Sequence, residues 1–515
     1  MRQSIIVTFI LYSFVSNSQT PESVVKSVYN DIINSIGDSR IQPPKLIMVR
    51  SEKFTAAFDK KLNTIEFEMK AYALCREFGK DSLNAIAFIL GHELGHAYND
   101  HGWLSQAKSA YASTDFGKEL RKAKMIVDTM TIYESQADEF SCFFTGVAGY
   151  NTLTIGGEVL DAIYKAYKLP EKIKKYPSLS DRKFIVQKSA ETVVNLLELF
   201  DFSNYQFVQG NYRIALLGYE HIINKFPSRE IYNNVGVCYA NLALKLFPKD
   251  SIKVIVPFEI DFQSRLNSNG ERGLSTKDKE EINELFNQAL FNFKRTIELD
   301  EKYRIGFKNM ALVSHFVNDE DRDHYLDKVL KLAETDIERA EYYHLKGLFQ
   351  FLNNDLRPSK KNLKEAAKLG DPLAEINLHI MKEGEFPISN SSNKKIVLRP
   401  VDGVRLQSRF KDSKNKIIDF DQAKGDYELY VFNEKSSKVI IGYMDYQQKE
   451  YYKLHTMSSD AFEEKDFNEI IEVYGLPSSL LIQGKKQILK YANERVLLEF
   501  QDQKLVKVIK YFNIN

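Results

Sequence analysis

The chain has 515 residues, 43% of them hydrophobic, and its 71 basic and 70 acidic side chains leave a net charge of +1. That length calls for several domains, each able to bury a core, and the balanced charge excludes a protein that holds nucleic acid or an anionic membrane through a global field. Three widely spaced cysteines (Cys75, Cys142, Cys238) with no C-x-x-C pair exclude a disulfide framework and a cysteine metal knuckle. Cys75 and Cys142 could pair in an oxidising compartment, but buried free thiols are the expectation.

Residues 1–18 read as a secretory signal. Arg2 supplies the charged start, Ile5 to Val15 an apolar core, and Ser16-Asn17-Ser18 a small-residue cleavage site before Gln19. The core is too short to span a bilayer comfortably, although an uncleaved anchor is the alternative reading. No cysteine follows it, which argues against a lipoprotein signal. No later run reaches ~18 apolar residues, so a soluble mature chain, exported to the periplasm or secreted, is expected.

Gln19 to Ile41 has helical periodicity (Val24, Val25, Val28, Tyr29, Ile32, Ile33), stopped by Pro43-Pro44. Strand-like runs follow at Leu46–Arg50 and Leu62–Glu68. Next comes an apolar helical stretch, Leu83–Trp103, containing His92-Glu93-Leu94-Gly95-His96. Histidines four apart on a helix share a face and can reach one metal ion, while Glu93, turned by about 100°, is placed to hold a water rather than to ligate. Zinc-dependent peptide hydrolysis requires that division of labour. The metzincin pattern fails, because Asn99 and Gly102 stand where it needs Gly and His, and His101 comes one place early.

Residues 102–125 are polar and read as a mobile segment over the cleft. A second helical stretch, Ala123–Thr145, carries Glu134 and Asp138 one turn apart among Ile126, Val127, Met130, Ala137 and Phe140. Two buried, unpaired carboxylates would be costly, so a cation between them is the economical explanation. Glu134 completes a His92, His96, Glu134 site for one zinc ion per chain. Asp138 can accept the second ring N–H of a ligand histidine.

The pair His92-Glu93-Leu94-Gly95-His96 and Glu134-Ser135-Gln136-Ala137-Asp138 resembles the HtpX and CAAX-prenyl-protease family of gluzincin metallopeptidases, whose second motif reads E-x-x-A-D. The likeness spans about Pro43 to Arg182. It takes in Pro43–Val49 and Asn63–Phe67 as strands, and Tyr176-Pro177 with Asp181-Arg182 as the later H-P…R motif, with Tyr176 where the family usually has His. The resemblance implies a zincin-like α+β fold with Glu93 catalytic. It places Thr55, Ala56, Ala57 and Phe58 near the substrate edge strand. Arg182 or Tyr176 supports the oxyanion, with bracing of the site as the alternative role for Arg182. Without membrane helices, the chain is most similar to the soluble exported members with TPR repeats, of the BepA type.

Helical stretches Glu158–Lys168 and Arg182–Phe200 close this domain, read as 19–197. From 198 to 387 the texture is that of TPR hairpins, which recur at about 34 residues. Tyr232–Tyr239 is a first helix. Its partner, Leu285–Leu299 with Ala289 and Phe293, is displaced by an insertion at about 249–278. Tyr303–Phe316 and Tyr342–Leu352 are later first helices, and Ala366 to Pro372 closes a hairpin. Such hairpins must stack to bury their faces, and the surface they form suits a peptide or partner protein.

A linker at Ile388–Lys395 leads into 388–515, where alternating runs (Ile396–Leu398, Tyr427–Phe432, Val439–Tyr443, Val496–Phe500, Leu505–Tyr511) indicate a small α/β or β domain. Gly475–Tyr511 faintly resembles BamE-like outer-membrane assembly modules. His221, His315, His324, His344, His379 and His455 have no spaced partners and read as structural.

Two functions compete. One is an exported zinc endopeptidase whose TPR repeats recruit polypeptide substrates or envelope assembly partners, in envelope protein quality control. The other is a TPR-centred chaperone or scaffold with a silent or autoinhibited peptidase domain.

Overall fold

The computed structural model describes residues 20–36, 42–99, 129–172, 177–224, 228–247, 254–258, 276–384, 416–422, 425–433, 437–446, 448–459, 466–474, 477, 479–483, 486–501 and 503–514. The signal reading, the polar segment at 102–125, the linker at 388–395, the run Ile396–Leu398 and Tyr176 all lie outside them. The chain is mostly helical, with a sheet domain, and divides into two compact units that part between Thr192 and Val193. Among the described residues, no helix is long and apolar enough to cross a membrane.

In the first unit, α1 (Pro21–Ile36) begins at Thr20, whose hydroxyl accepts the Ser23 N–H at 3.2 Å, with Pro21 at the first helical position. Three short strands follow: β1 (Lys45–Val49), β2 (Ala56–Asp59) and β3 (Thr64–Glu68). Their order is β1-β3-β2, with β1 parallel and β2 antiparallel to β3. β3 starts two residues later than the sequence pattern predicts. Asp59 Oδ1 accepts the N–H groups of Lys61 and Leu62, and Asn63 takes a φ of 49°, so Leu62 belongs to the turn and is 69% exposed. After α2 (Met69–Arg76) comes α3 (Ser82–Asn99), apolar nearly all round and buried at Ala85–Leu90, Leu94, Ala97 and Tyr98.

Against α3 lies α4 (Thr129–Val147), then α5 (Gly156–Ala166). Gly91 and Gly95 make the α3–α4 approach close. A Cβ at Gly95 would lie 2.7 Å from Ala137 Cα and 2.8 Å from its carbonyl oxygen, and one at Gly91 would lie 2.5 Å from Ser141 Oγ. Beside that seam, Tyr98 stacks on Phe140 at 5.6 Å. The thiols of Cys75, Cys142 and Cys238 are free and buried.

Helix α6 (Leu179–Gln209) has 31 residues and runs well past Phe200, into the second unit. It ends where Gly210 turns left-handed, at a φ of 89°.

The second unit continues with α7 (Tyr212–Ile223) and then paired helices: α8 (Arg229–Lys245) on α9 (Thr276–Leu299), α10 (Arg304–Phe316) on α11 (Arg322–Lys331), α12 (Asp336–Leu352) on α13 (Leu356–Lys368), and α14 (Pro372–Glu383). A Cβ at Gly236 would be 2.7 Å from the Phe293 ring, which shows how closely the first pair meets. Within the insertion read at 249–278, Val254, Val256 and Phe258 are buried, and Ile255 exchanges backbone hydrogen bonds with the Asn377 side chain at 2.8 and 3.0 Å. Asn377 also meets His344 Nε2 at 2.9 Å. The other ring nitrogen of His344 pairs with Asp371, the N-cap of α14, at 2.7 Å. This buried chain of contacts gives His344 its structural role.

Among the described residues, the sheet domain has eight antiparallel strands in the order β4-β5-β6-β7-β11-β10-β9-β8: β4 (Lys416–Gln422), β5 (Gly425–Asn433), β6 (Ser437–Tyr446), β7 (Gln448–Ser458), β8 (Ser479–Gln483), β9 (Lys486–Tyr491), β10 (Val496–Gln501) and β11 (Lys504–Ile514). Helix α15 (Phe467–Tyr474) packs Phe467 and Ile470 against Leu489, Leu498, Phe500 and Val508. The C-terminal half of α6 contacts the strands too, with Tyr205 donating to Glu499 at 2.8 Å.

Candidate metal centre

Helix α3 fixes the first two candidate ligands. The i, i+4 spacing puts His92 and His96 on one face, with Nε2 atoms 3.1 Å apart and rings at 88°. Helix α4, brought in by the glycine seam, delivers Glu134. Its carboxylate oxygens lie 3.4 Å from His92 Nε2 and 3.6 Å from His96 Nε2. A tetrahedral ion with bonds of about 2.0–2.1 Å holds its donors about 3.3 Å apart. The three distances match that separation, and the two imidazoles and one carboxylate suit a divalent transition metal. This buried group could therefore bind a metal ion.

Asp138, fully buried, lies one turn beyond Glu134, and its Oδ1 is 2.7 Å from His92 Nδ1. That contact leaves the His92 Nε2 atom facing His96 and Glu134. Burial alone would lower the His92 pKa, but the carboxylates of Asp138 and Glu134 prevail and hold it at about 10 without an ion. Burial and the neighbouring His92 lower that of His96. The carboxyl of Glu134 is held well below its usual range; burial opposes this, and Arg182 and the histidines outweigh it.

Arg182 owes its place to a reciprocal cap at the start of α6. Asp181 N–H donates to Ser178 Oγ at 3.1 Å, while Ser178 N–H donates to Asp181 Oδ2 at 3.2 Å. The next residue points its guanidinium inward, with Nη2 3.4 Å from Glu134 and from His92 Nε2 and 3.7 Å from Asp138.

The ligands open into a cleft of 630 Å³. Thr55 to Phe58 form one wall, and Tyr133, Tyr164 and Tyr167 contribute aromatic surface that the sequence pattern did not single out. Glu93, partly exposed, sits between ligands and strand, and its Oε2 accepts the Phe58 N–H at 2.9 Å. Ala57 and Asp59 pair toward β3, so the alternating backbone groups of Ala56 and Phe58 point away from it. The structure thus brings His92, Glu93, His96, Glu134, Arg182 and residues 55–58 to one cleft, with Asp138 buried behind His92.

No family model matches the chain, and no curated protein matches it. Among solved structures, a monomeric mutant of IFIT1 with Gppp-AAAA is similar at 11% identity and a TM-score of 0.30, over 61% of this chain and 76% of that one. A likeness of that grade carries no argument.

Proposed function

We propose that the chain is a zinc-dependent endopeptidase of the HtpX and CAAX-prenyl-protease kind. In this reading an exported zincin-like α+β domain does the chemistry, and TPR-type hairpins recruit polypeptide substrates or partners. The observation that carries it is the meeting of His92, His96 and Glu134 within 3.1–3.6 Å of one another, beside Glu93 and an edge strand. A bound zinc ion supplies a Lewis acid and lowers the pKa of a coordinated water.

The side chains do the rest. His92, His96 and Glu134 are the ligands, and Asp138 fixes the tautomer of His92. Glu93 takes a proton from the attacking water and passes it to the leaving amine. The Phe58 N–H ties the base to the strand, and the outward backbone groups of Ala56 together with the Phe58 carbonyl are those an extended substrate would pair with. Arg182 lines the cleft beside Glu134 and neutralises it, and in this reading it also supports the developing oxyanion.

The test is metal analysis of purified protein together with cleavage of an unfolded protein substrate in the presence and absence of a chelator. Glu93→Gln should keep stoichiometric zinc and lose cleavage by about 10²–10⁴-fold. Normal turnover in that variant removes Glu93 from the mechanism. A wild-type chain that holds zinc, cleaves nothing and suppresses aggregation of the same substrate favours the scaffold reading.

A further inference from the structure

Far along the chain from the metal centre, α13 is a helix of strongly one-sided charge. Its five cations, Arg357, Lys360, Lys361, Lys364 and Lys368, are all exposed. At 100° per residue they fall within an arc of about 100°, along about 16 Å of helix. Ser359, Leu363 and Ala366 occupy the opposite side, buried where α13 packs on α12 and α14. Among the described residues only Lys368 has a carboxylate within reach, Glu365 at 3.7 Å. The neighbouring helices mix their signs: Arg322 pairs with Asp323 on α11, Arg339 with Asp336 on α12, and Lys382 with Glu383 on α14. A chain with a net charge of +1 therefore carries a concentrated local field along one ridge.

We propose that this ridge is a contact surface for the anionic headgroups of a phospholipid bilayer. Three features favour a lipid surface over an acidic polypeptide or a nucleic acid. The ridge lies on the exposed side of a helix whose other side is committed to packing, and a helix offers no free backbone edge to a peptide. Four of the five cations are lysines, compact point charges that suit diffuse surface charge, whereas planar, bidentate recognition of one phosphate or carboxylate favours arginine. No aromatic side chain lies on the stripe to stack a base; its flank instead carries Leu356, apolar and 56% exposed, which can dip between headgroups. The proposal does not depend on the peptidase reading.

The experiment is flotation of the full chain with vesicles of phosphatidylcholine alone or mixed with phosphatidylglycerol. Binding should require the anionic lipid and fade as added salt shortens the Debye length below about 8 Å. Each neutralised cation should weaken partition about fivefold, so Lys360→Gln/Lys361→Gln/Lys364→Gln should lose about a hundredfold. The same three positions changed to arginine should keep binding. A charge-matched control at exposed lysines elsewhere in the hairpins, Lys294→Gln/Lys302→Gln/Lys331→Gln, should keep it too. Circular dichroism checks that all variants are folded. The proposal is overturned by equal binding of the ridge and control variants, or by equal binding to neutral vesicles, as insertion of the apolar run Ile5–Val15 would give. Ridge-dependent binding of soluble polyglutamate without vesicle binding overturns it in favour of an acidic protein partner.

Discussion

Replacing Gly95 by alanine adds one methyl group to the side of α3 that faces α4, and the structure gives the size of the disturbance. The new Cβ would stand 2.7 Å from Ala137 Cα and 2.8 Å from its carbonyl oxygen. Ordinary carbon contacts are about 3.5–4.0 Å, so α3 and α4 must separate by about 1 Å. Overpacking of this kind costs about 1–3 kcal/mol, and the better helix propensity of alanine returns up to about 1 kcal/mol. The net loss of stability is then about 0–3 kcal/mol, or up to several degrees in Tm for a unit of this size.

The metal site should suffer more than the fold. His92 and His96 sit on one side of the seam, and Glu134, three residues from Ala137, sits on the other. A 1 Å separation stretches distances now at 3.4 and 3.6 Å beyond the span one ion can bridge. Zinc affinity should fall at least tenfold, toward the loss expected for removing Glu134 altogether. Competition with a chromogenic chelator measures the affinity, and a melt of the metal-free protein measures the fold. Because the clash is with backbone atoms, Ala137→Gly should not rescue Gly95→Ala. Wild-type zinc affinity in Gly95→Ala, or full rescue by Ala137→Gly, would refute the argument that this seam sets the ligand geometry.

Other substitutions probe the same site and the hairpins. Glu134→Ala removes one of three protein ligands. Dividing the roughly 10–16 kcal/mol of a four-ligand zinc site by its ligands gives about 2.5–4 kcal/mol, so affinity should drop about a hundredfold or more; stoichiometric zinc after dialysis would show a different third ligand. Asp138→Asn should weaken zinc binding about 10–100-fold with the ligands intact, and unchanged affinity would mean that the contact with His92 does not orient the ring. Asp371 caps α14 and pairs with His344. Burial raises its pKa, but His344, Lys308 and the Ala374 N–H outweigh burial and depress it. Its stabilisation is therefore complete above the usual carboxylate pKa and is lost as pH falls through the depressed value. Asp371→Asn should cost about 1 kcal/mol or more at neutral pH and converge on wild type in strong acid, as read by urea melts across pH; a constant difference at every pH would exclude the charge as its source.

How much of this was legible beforehand depended on whether each feature is local in sequence. The ligand spacing is set by one turn of helix, so His92 with His96 and Glu134 with Asp138 could be placed without coordinates. The paired helices were signalled by small residues recurring at a spacing of about 34 residues, although α6 ran past its predicted end because nothing between Phe200 and Gly210 breaks a helix. The sheet was harder. β4 and β7 hold mixed polar and aromatic residues with no clean alternation, and the last strand, β11, is inserted between β7 and β10, a pairing that no nearby turn encodes. The charged stripe of α13 was in plain view, but it gains meaning only once the opposite side of the helix is known to be buried.

The site itself divides along the same line. What could hold an ion follows from short-range spacing, whereas what would stage a reaction around it follows from how separate elements meet. Phe58 N–H reaches Glu93 only because β2 pairs with β3 through Ala57 and Asp59, turning its even-numbered residues toward α3. Arg182 arrives through a cap between Ser178 and Asp181 that starts a helix some ninety positions after His92. The one overlooked clue was in the motif. Gly91 and Gly95 form a G-x-x-x-G facing the small residues Ala137 and Ser141, and that pattern alone signals two helix backbones in close approach. Gly95 is therefore as much a determinant of the candidate site's geometry as the histidine that follows it, because the approach of α3 to α4 sets the distance from the imidazoles to the carboxylate.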